Sequence, residues 1–433
     1  MSTIIIFLII LGVLIFVHEL GHFLTARRNG IRCYEFGFGF PPRIIGIQFI
    51  SGKEMKKKME LESVETEIID IKSEKQEIIK KTVIEKMREV LNLVSVGKWR
   101  IIWGNKDGDD ENEKKDLREA HEKKFLGGTI YSLNWIPLGG FVKIKGEDGN
   151  NKNDPDSFAG RKAWTRIKVL AAGVIMNFVL AWVLISIGFM IGAPEAVDVA
   201  GGDNSSAKIQ ISEVVASSPA QVAGFEIGDE IIKNQRNISF GNVKDFQEYV
   251  KDNKGKEMNL KIKRGDEVLE IKTLLRMEAP EGQGLLGISL AEIQIIKYPW
   301  YEAIWLGLTT TLGLIWAIIL ALFGIIKSLF IGQGAGVDIS GPVGIAVLTK
   351  KVAGMGLVYI LQFAALLSIN LGIINALPFP ALDGGRILFI LIEKIKGSAV
   401  SQKVEQAFHT VGFLLLILLL VFITFKDVAR FIK

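Results

Sequence analysis

The sequence predicts a polytopic α-helical membrane protein with about four transmembrane helices, an interfacial or re-entrant helix, a membrane-associated β-hairpin and one extracytoplasmic β/α domain. The 433 residues are 49% hydrophobic, and a mean hydropathy of +0.32 is typical of a membrane protein with water-exposed parts. Apolar runs at about residues 2–26, 164–191, 357–377 and 411–425 predict the spanning helices. Between the second and third runs, short alternating strands and Gly-Asp turns predict the soluble domain. The predicted elements are strands at residues 208–214, 258–263 and 268–274 and a helix at residues 243–251.

These features divide the chain into consecutive segments. They are residues 1–51 with the first helix and a following strand region, 52–125 as a charged helical insertion, 126–196 with the hairpin and the second helix, 197–292 as the soluble domain, 293–356 with the interfacial or re-entrant helix, and 357–433 with the last two helices.

Charge and cysteine content argue against a nucleic-acid interface, an intrachain disulfide and a cysteine-based metal site. The net charge of +5 is modest, and the charged residues cluster outside the apolar runs. They therefore indicate membrane orientation and solvation, and no nucleic-acid partner is expected. The single cysteine, Cys33, excludes an intrachain disulfide and any cysteine-based zinc site.

The first apolar run predicts a retained transmembrane helix rather than a cleaved signal peptide. It lacks a basic segment before it and a clear small-residue cleavage site, and Arg27, Arg28 and Arg32 follow it directly. Since basic residues concentrate on the cytoplasmic side, the C-terminal end of this helix is expected there. Basic residues also precede the second run, so the soluble domain is expected outside the cytoplasm.

Residues 18–22, His-Glu-Leu-Gly-His, stand inside the first helix and predict a metal site. His18 and His22 are four residues apart, so both imidazoles project from one helix face and can share one Zn²⁺. Glu19 beside them can act as general base for metal-activated water. Ionisable side chains in a membrane span are costly, so they mark a functional site by default. The pattern predicts a zinc hydrolase with its active site in the bilayer.

Residue alternation and charge patterns predict the secondary structure of the segments between the first two spans. Residues 34–41 alternate and predict short strands near the membrane surface, and residues 131–143 predict a β-hairpin around Pro-Leu-Gly-Gly. Blocks of Lys and Glu with apolar residues at helical spacing make residues 52–125 a predicted helical insertion on the cytoplasmic side. Docking of a partner and passive solvation are both compatible with this insertion.

The second half of the predicted site closes the run at residues 357–377. Two prolines in residues 375–385, Asn-Ala-Leu-Pro-Phe-Pro-Ala-Leu-Asp-Gly-Gly, break the helix and free backbone groups at membrane depth. Asp383 is the expected third zinc ligand, because two imidazoles and one carboxylate leave a coordination position open, as catalytic sites do. Asn375 can donate a hydrogen bond to a substrate carbonyl or an oxyanion. The alternative is a helix terminator with a capping aspartate.

Residues 304–331 form another long apolar segment, whose hydropathy alone favours a span. A full crossing would make the next helix run outward and would bring Asp383 to the side opposite His18. An interfacial or re-entrant helix is therefore predicted for this segment.

Five motifs occur in an order that resembles a known family. They are residues 18–22, residues 37–41 (Gly-Phe-Gly-Phe-Pro), residues 136–143 (Ile-Pro-Leu-Gly-Gly-Phe-Val-Lys), residues 340–345 (Ser-Gly-Pro-Val-Gly-Ile) and residues 375–385. The chain resembles the site-2 proteases, M50-type intramembrane zinc metalloproteases, in the bacterial regulator-of-sigma-E protease subgroup. The resemblance covers most of the chain outside residues 52–125.

The resemblance implies regulated intramembrane proteolysis in a bacterial inner or plasma membrane. Such enzymes cut transmembrane segments of single-pass, membrane-bound regulators such as anti-sigma factors, or remnant signal peptides. Carried over by position, the ligands of Zn²⁺ would be His18, His22 and Asp383. Glu19 would be the base, and Asn375 would help bind substrate.

The resemblance also implies a role for the apolar hairpin, which contains Gly139, Gly140 and Phe141. It would be a membrane re-entrant loop that pairs with the unwound substrate as an added strand. This agrees with the chemistry, because a helical peptide bond is shielded and must be extended before water can attack it.

Residues 218–231 of the soluble domain are similar to the PDZ family signature. In the resembling family such domains act as a size filter or a substrate sensor. There is room for one PDZ-like domain here, whereas some relatives carry two. No carboxylate-binding loop is evident, so peptide or substrate contact at this domain stays open.

Two further histidines are not predicted to bind metal, and two other functions are less favoured than proteolysis. His121 and His409 have no partner at metal-ligand spacing and are expected to be structural or surface residues. A membrane scaffold or sensor is one alternative function, but it would not need all four chemical positions. A metal-ion transporter is another, but the sequence lacks the series of polar groups that would form a path.

Overall fold

The computed structural model describes residues 3–50, 98–104, 128–196, 208–234, 239–265, 267–280, 282–331, 341–398 and 400–432. Its helices are α1 (Thr3–Arg28), α2 (Ala163–Ile191), α3 (Pro219–Ala223), α4 (Val243–Asp252), α5 (Trp300–Ile331), α6 (Pro342–Met355), α7 (Leu357–Ala376), α8 (Asp383–Lys396) and α9 (Gln402–Ile432). Its strands are β1 (Cys33–Ile50), β2 (Lys98–Trp103), β3 (Ile130–Ile144), β4 (Ala193–Ala196), β5 (Lys208–Val214), β6 (Glu230–Asn234), β7 (Glu257–Arg264), β8 (Glu267–Leu274) and β9 (Ile288–Ile296).

The chain forms two compact units. One contains Met1–Phe7, Phe178–Ile373 and Leu415–Lys433, and the other contains Leu8–Asn177 and Ile374–Leu414. All the residues predicted to carry the chemistry belong to the second unit, and the soluble β/α domain belongs to the first.

Five helices of the described residues are long and apolar enough to cross a membrane, so the protein is polytopic. They are Thr3–Arg28, Ala163–Ile191, Trp300–Ser328, Leu357–Ala376 and Lys403–Ala429. The fifth candidate arises because α5 is one unbroken helix of 32 residues. The re-entrant form predicted for this segment is therefore wrong, since it requires a break that turns the chain back.

Helices α1 and α2 approach each other closely in the second unit. A Cβ added at Gly21 would lie 2.4 Å from the carbonyl oxygen of Ala172, so a larger residue cannot stand there without moving a backbone. The buried side chains Phe23, Val169 and Ile390 pack around this contact in one apolar cluster. Gly21, within residues 18–22, therefore serves the packing of α1 against α2.

Strands β1 and β3 each fold back on themselves and interleave. Phe36 of β1 is paired with Val142 on one side and with Tyr131 on the other. Residues 33–38 therefore lie between the two arms of β3, and residues 43–48 pair with the outer side of residues 130–134. The pairing of the hairpin predicted at residues 131–143 is wrong. Its two arms pair with the two sides of residues 33–38 and not with each other. Sequence alternation shows strands but not their partners.

A further strand, β2, pairs antiparallel with β1. Lys98 lies opposite Ile50 at one end of the pairing, and Trp103 lies opposite Ile45 at the other. The helical prediction for residues 52–125 is therefore wrong for Lys98–Trp103, where alternating aromatic and branched residues favour a strand. Of the other insertion residues, the structure describes Gly104 alone, so His121 lies outside the described residues. Trp99 and Trp103 are about two-thirds exposed on one face of β2.

The β/α domain contains a sheet in the order β4-β9-β5-β6-β7-β8. Its core is a cluster of buried side chains that includes Ile211, Phe246 and Leu260. Asp229, fully buried, accepts two hydrogen bonds of 2.7 Å from Arg264, and this pairing raises the pKa of the guanidinium. The predicted strands and the helix at 243–251 match this domain closely.

Helix α6 begins at the Gly-Pro of the sequence motif at residues 340–345. Its N-cap is Gly341, which has no side chain to accept from the first-turn N–H groups. The buried carboxylate of Asp427, from α9, accepts a hydrogen bond from the N–H of Gly344 at 2.8 Å instead. A Cβ at Gly341 would lie 2.7 Å from the side chain of Ile423, so α9 packs directly on this helix start. The motif therefore forms a close helix contact.

Candidate metal centre

Helices α1 and α8 bring together three side-chain atoms that could hold a metal ion. His18 Nε2 lies 3.0 Å from Asp383 Oδ2, His22 Nε2 lies 3.3 Å from the same oxygen, and the two Nε2 atoms are 3.2 Å apart. The two histidines are each 7% exposed, and the side chain of Asp383 is 15% exposed. Residues 365 positions apart in the chain thus form one buried cluster.

The donor set and its spacing fit Zn²⁺. Ligands about 2.0–2.2 Å from a tetrahedral zinc ion stand about 3.3–3.6 Å from one another. The observed separations of 3.0, 3.2 and 3.3 Å are close to that triangle. A Cβ added at Gly173 of α2 would lie 2.4 Å from His22 Nε2 and 2.8 Å from His18 Cε1. The glycine therefore keeps open the space next to the ligand atoms.

Second partners orient both imidazoles. His22 Nδ1 donates to the carbonyl oxygen of Val169 at 2.8 Å, which leaves the lone pair of Nε2 to face the cluster. His18 Nδ1 lies 3.2 Å from the side-chain amide of Asn177, which is fully buried in α2. Since an amide can present either its oxygen or its nitrogen, Asn177 can accept from an Nδ1–H of His18. This arrangement leaves Nε2 of His18 free for a metal.

Asp383 stands at the start of α8, and the chain approaches it through a compact turn. A Cβ at Gly384 would lie 2.2 Å from the carbonyl oxygen of Leu377, and a Cβ at Gly385 would lie 2.1 Å from that of Phe379. The two glycines let the end of α7 and the start of α8 come into backbone contact. The sequence Asp-Gly-Gly therefore fixes where the carboxylate emerges.

The other predicted site residues occupy the same unit. Glu19 follows His18 in α1 and is half-buried, and Asn375 is half-buried in the last turn of α7. Gly139 has a φ of +96°, and a Cβ there would lie 2.6 Å from Ile15 of α1. A Cβ at Gly140 would lie 3.1 Å from the Cα of Phe16. The arm of β3 that carries these glycines thus lies against α1, one turn before His18.

This arm is also an edge of the sheet. Residues 140–144 pair with residues 33–38 on one side, and no strand among the described residues pairs with their other side. An unpaired edge presents backbone N–H and C=O groups that can bind an extended peptide. Phe141, half-buried, lies on this arm.

A polar cavity of about 450 Å³ lies beside the first turn of α8. Arg386, one turn after Asp383, lines it and is paired with Glu147, which follows β3. Arg166 and Glu393 form a second ion pair in its wall at 2.9 Å. Its size and polarity suit several water molecules.

Sequence reasoning missed Gly173 and Asn177, which contact the histidines from α2. Their signal was a small residue and an amide four positions apart in an otherwise apolar span, which places both on one face. A buried amide in a span needs a partner, so it indicates a contact with a polar site.

Comparison with known proteins identifies the family. The model of peptidase family M50 matches residues 6–59 and 120–419. The chain belongs to peptidase family M50. The unmatched stretch lies within the charged segment that the sequence analysis treats as an insertion.

Full-length relatives agree with this assignment. The chain is similar to the regulator of sigma-W protease RasP of Bacillus subtilis, with 31% identity over 99% of both chains. The zinc metalloproteases RasP of Bacillus licheniformis and Oceanobacillus iheyensis are 30% and 31% identical, again over 99% of each chain. This M50, or site-2, protease is a zinc metalloprotease with several helices long and apolar enough to span a membrane.

Proposed function

We propose that this chain is an intramembrane protease that cuts transmembrane segments of membrane-bound regulators, such as anti-sigma factors, or remnant signal peptides. The observation that carries the proposal is the buried cluster of His18, His22 and Asp383, with separations of 3.0–3.3 Å inside apolar helical surroundings. The name of the Bacillus subtilis relative, regulator of sigma-W protease, supports a regulatory substrate class.

His18, His22 and Asp383 would hold the metal, and Glu19 would move the proton. Zinc bound there would supply a Lewis acid that polarises the peptide carbonyl and lowers the pKa of water. Glu19 would accept a proton from the attacking water and deliver it to the leaving amine. Asn375 would donate its amide to the substrate carbonyl. Water would enter through the polar cavity beside Arg386.

The substrate would bind as an added strand on residues 140–144. Three features support this: the free edge among the described strands, the glycines that let the arm lie on α1, and the position one turn before His18. Strand addition also unwinds the substrate helix, which exposes the peptide bond. Gly139, Gly140 and Phe141 would thus form part of the binding surface.

We place the β/α domain outside the cytoplasm and the metal site near the cytoplasmic end of α1. The hydroxyl of Tyr359, near the start of α7, donates to Gln210 of β5 at 3.2 Å, and Met355 contacts the turn at Gly228. Helix α7 therefore begins at the domain and runs away from it. The proposed topology takes α5 as interfacial, so that the chain would stay on the domain side between β9 and α6.

The β/α domain would be a single PDZ-like module that contacts substrate or peptide. The signature at residues 218–231 supports this, since Ser218 caps α3 and Gly224 ends it with a φ of +87°. The paired, buried Asp229 fixes the turn that follows. The proposed module comprises residues 197–292, the boundaries that the sequence predicts.

Exchange of Glu19 for glutamine tests the proposed function. Purified E19Q should keep one zinc ion per chain yet cut a single-pass model substrate about 10²–10⁴-fold more slowly, because only the proton acceptor is lost. Exposed Glu302 in the first turn of α5 offers a matched control, and E302Q should retain the wild-type rate.

The same pair of variants should be compared in cells by membrane proteomics. Uncut single-pass proteins should accumulate with E19Q and not with E302Q. Cleavage by E19Q at the wild-type rate would show that Glu19 is not the base.

A further inference from the structure

Helix α9 contacts the turn that leads to Asp383 at two points. His409 Nδ1 accepts a hydrogen bond of 2.9 Å from the backbone N–H of Ala381, two residues before Asp383. One turn later, a Cβ at Gly412 would lie 2.0 Å from Cβ of Pro380. The two α9 residues share one helix face, so they hold two consecutive residues of the turn.

Ala381 is held in an unfavourable backbone conformation. Its φ is +70°, a left-handed value that residues with a side chain rarely adopt. Such a conformation persists where surrounding contacts determine it, and it often occurs at functional sites. The N–H of Ala381 needs an acceptor, and the imidazole nitrogen of His409 supplies it.

The geometry couples this contact to the ligand atom. After Ala381 only Leu382 intervenes before Asp383, and Leu382 is the N-cap of α8, without a side-chain cap. A change of φ at Ala381 would therefore swing the start of α8 and the Asp383 carboxylate. Oδ2 of Asp383 stands 3.0 and 3.3 Å from two imidazole nitrogens, a spacing that tolerates little displacement.

His409 is also fixed relative to α8. Its ring lies 5.7 Å from the ring of Phe389, and the neighbouring Phe408 ring lies 5.0 Å from the same phenylalanine. The imidazole therefore has a defined position from which to hold Ala381. This agrees with the expectation from the sequence that His409 is a structural residue. The hydrogen bond shows that the backbone it holds is that of Ala381.

We propose that His409 is a positioning residue for the metal ligand Asp383, acting through its hydrogen bond to Ala381. This inference rests on the proposed function, in which Asp383 binds zinc. His409 touches neither the metal position nor the substrate in this role. It stabilises the left-handed Ala381 that sets the direction of the carboxylate.

Three substitutions of His409 test the proposal. Asparagine places its oxygen close to the position of Nδ1, glutamine places it one bond farther away, and leucine has no acceptor. We expect H409L to weaken zinc retention against a chelator about 10–100-fold, the size of effect that lost outer contacts of metal ligands produce. H409N should recover most of this loss, and H409Q should recover little.

Two further readouts separate positioning from packing. The visible spectrum of the Co²⁺-substituted protein should change in H409L and return in H409N, because it reports the ligand geometry directly. The kcat for a model transmembrane substrate should fall with zinc retention, whereas KM should stay within about twofold. T410V, on the same helix but with its hydroxyl bound to the carbonyl of Gln406, is the matched control.

Ala381 offers a second route if H409L folds poorly. Glycine adopts a φ of +70° without strain, so A381G in the H409L background should recover a few-fold of the lost zinc affinity. Equal zinc affinity and equal Co²⁺ spectra for wild type, H409N and H409L would overturn the proposal. H409N that behaves like H409L would overturn it as well.

D383A keeps the two proposals distinguishable. If D383A loses zinc while H409L retains it with an unchanged spectrum, only the role of His409 fails. If D383A itself retains zinc with wild-type affinity, the ligand assignment in the proposed function fails.

Discussion

Two aspartates, one in each unit, show how differently a buried carboxylate can be used. Asp383 stands beside two imidazoles, both oriented by further contacts from α2. Asp427 is 6% exposed in α9, inside a candidate span, and accepts a single backbone N–H at the start of α6. Both follow the rule that buried charges need partners. The kind of partner separates a chemical role from a structural one.

Asp427 departs from a general rule about ionisable residues in membrane proteins. Ionisable residues in apolar helices mark functional sites by default. Asp427 is an exception with a clear physical reason, because it caps a helix whose N-cap, Gly341, has no side chain. The chemistry of the neighbours must therefore be examined before such a residue is assigned to catalysis.

The largest expected difference between the two aspartates is in zinc binding. D383A should lower zinc affinity at least about 100-fold and abolish cleavage, because loss of an outer contact alone costs about 10–100-fold. D427A should retain zinc and activity. Metal analysis after dialysis against a chelator measures both variants, and zinc loss from D427A but not D383A would reverse the comparison.

A smaller effect is expected from the space beside the histidines. G173A should reduce zinc affinity about 10–100-fold, because its Cβ would lie 2.4 Å from His22 Nε2 and must displace the ring. Gly188 lies in the same helix, and a Cβ there would meet only one atom, 3.8 Å away in Val358. G188A should therefore bind zinc normally. Equal affinities in the two variants would mean that the histidines do not need this space.

The smallest expected effect concerns the stability provided by Asp427. D427A leaves the N–H of Gly344 without its acceptor and should lower the free energy of unfolding by about 1–3 kcal/mol. D427N keeps an acceptor oxygen and should lose less. Thermal unfolding in detergent micelles measures both. If D427A unfolds at the wild-type temperature, the contact does not contribute to stability.

The sequence was most informative where the signal is local or carries chemistry. The spacing of His18 and His22 defines one helix face, and the prolines before Asp383 define a helix break, so these positions could be predicted from the sequence alone. Strand alternation likewise gave β5, β7 and β8 of the soluble domain almost to the residue. Each of these signals lies within about twenty residues of chain.

The features that sequence reasoning missed depend on distant pairing. The partners of β3 are set by β1, whose turn brings residues 33–38 between the two arms. His409 was set aside because it has no ligand at metal spacing, yet its partner is a backbone N–H 28 residues away. Asp427 stands beside charged residues at the end of the chain, which concealed its burial. Backbone partners leave no pattern in the side chains.

The sheet edge at residues 140–144 has a consequence for selectivity under the proposed strand addition. The edge would bind a substrate through its backbone N–H and C=O groups. Gly140, the first residue of the edge, and Gly139, just before it, have no side chains. Targets would then be distinguished by how readily their helices unravel, not by the letters of a recognition sequence. Glycine, proline and polar residues in a substrate's transmembrane helix would speed its cleavage, and a helix made of leucine alone would resist cleavage.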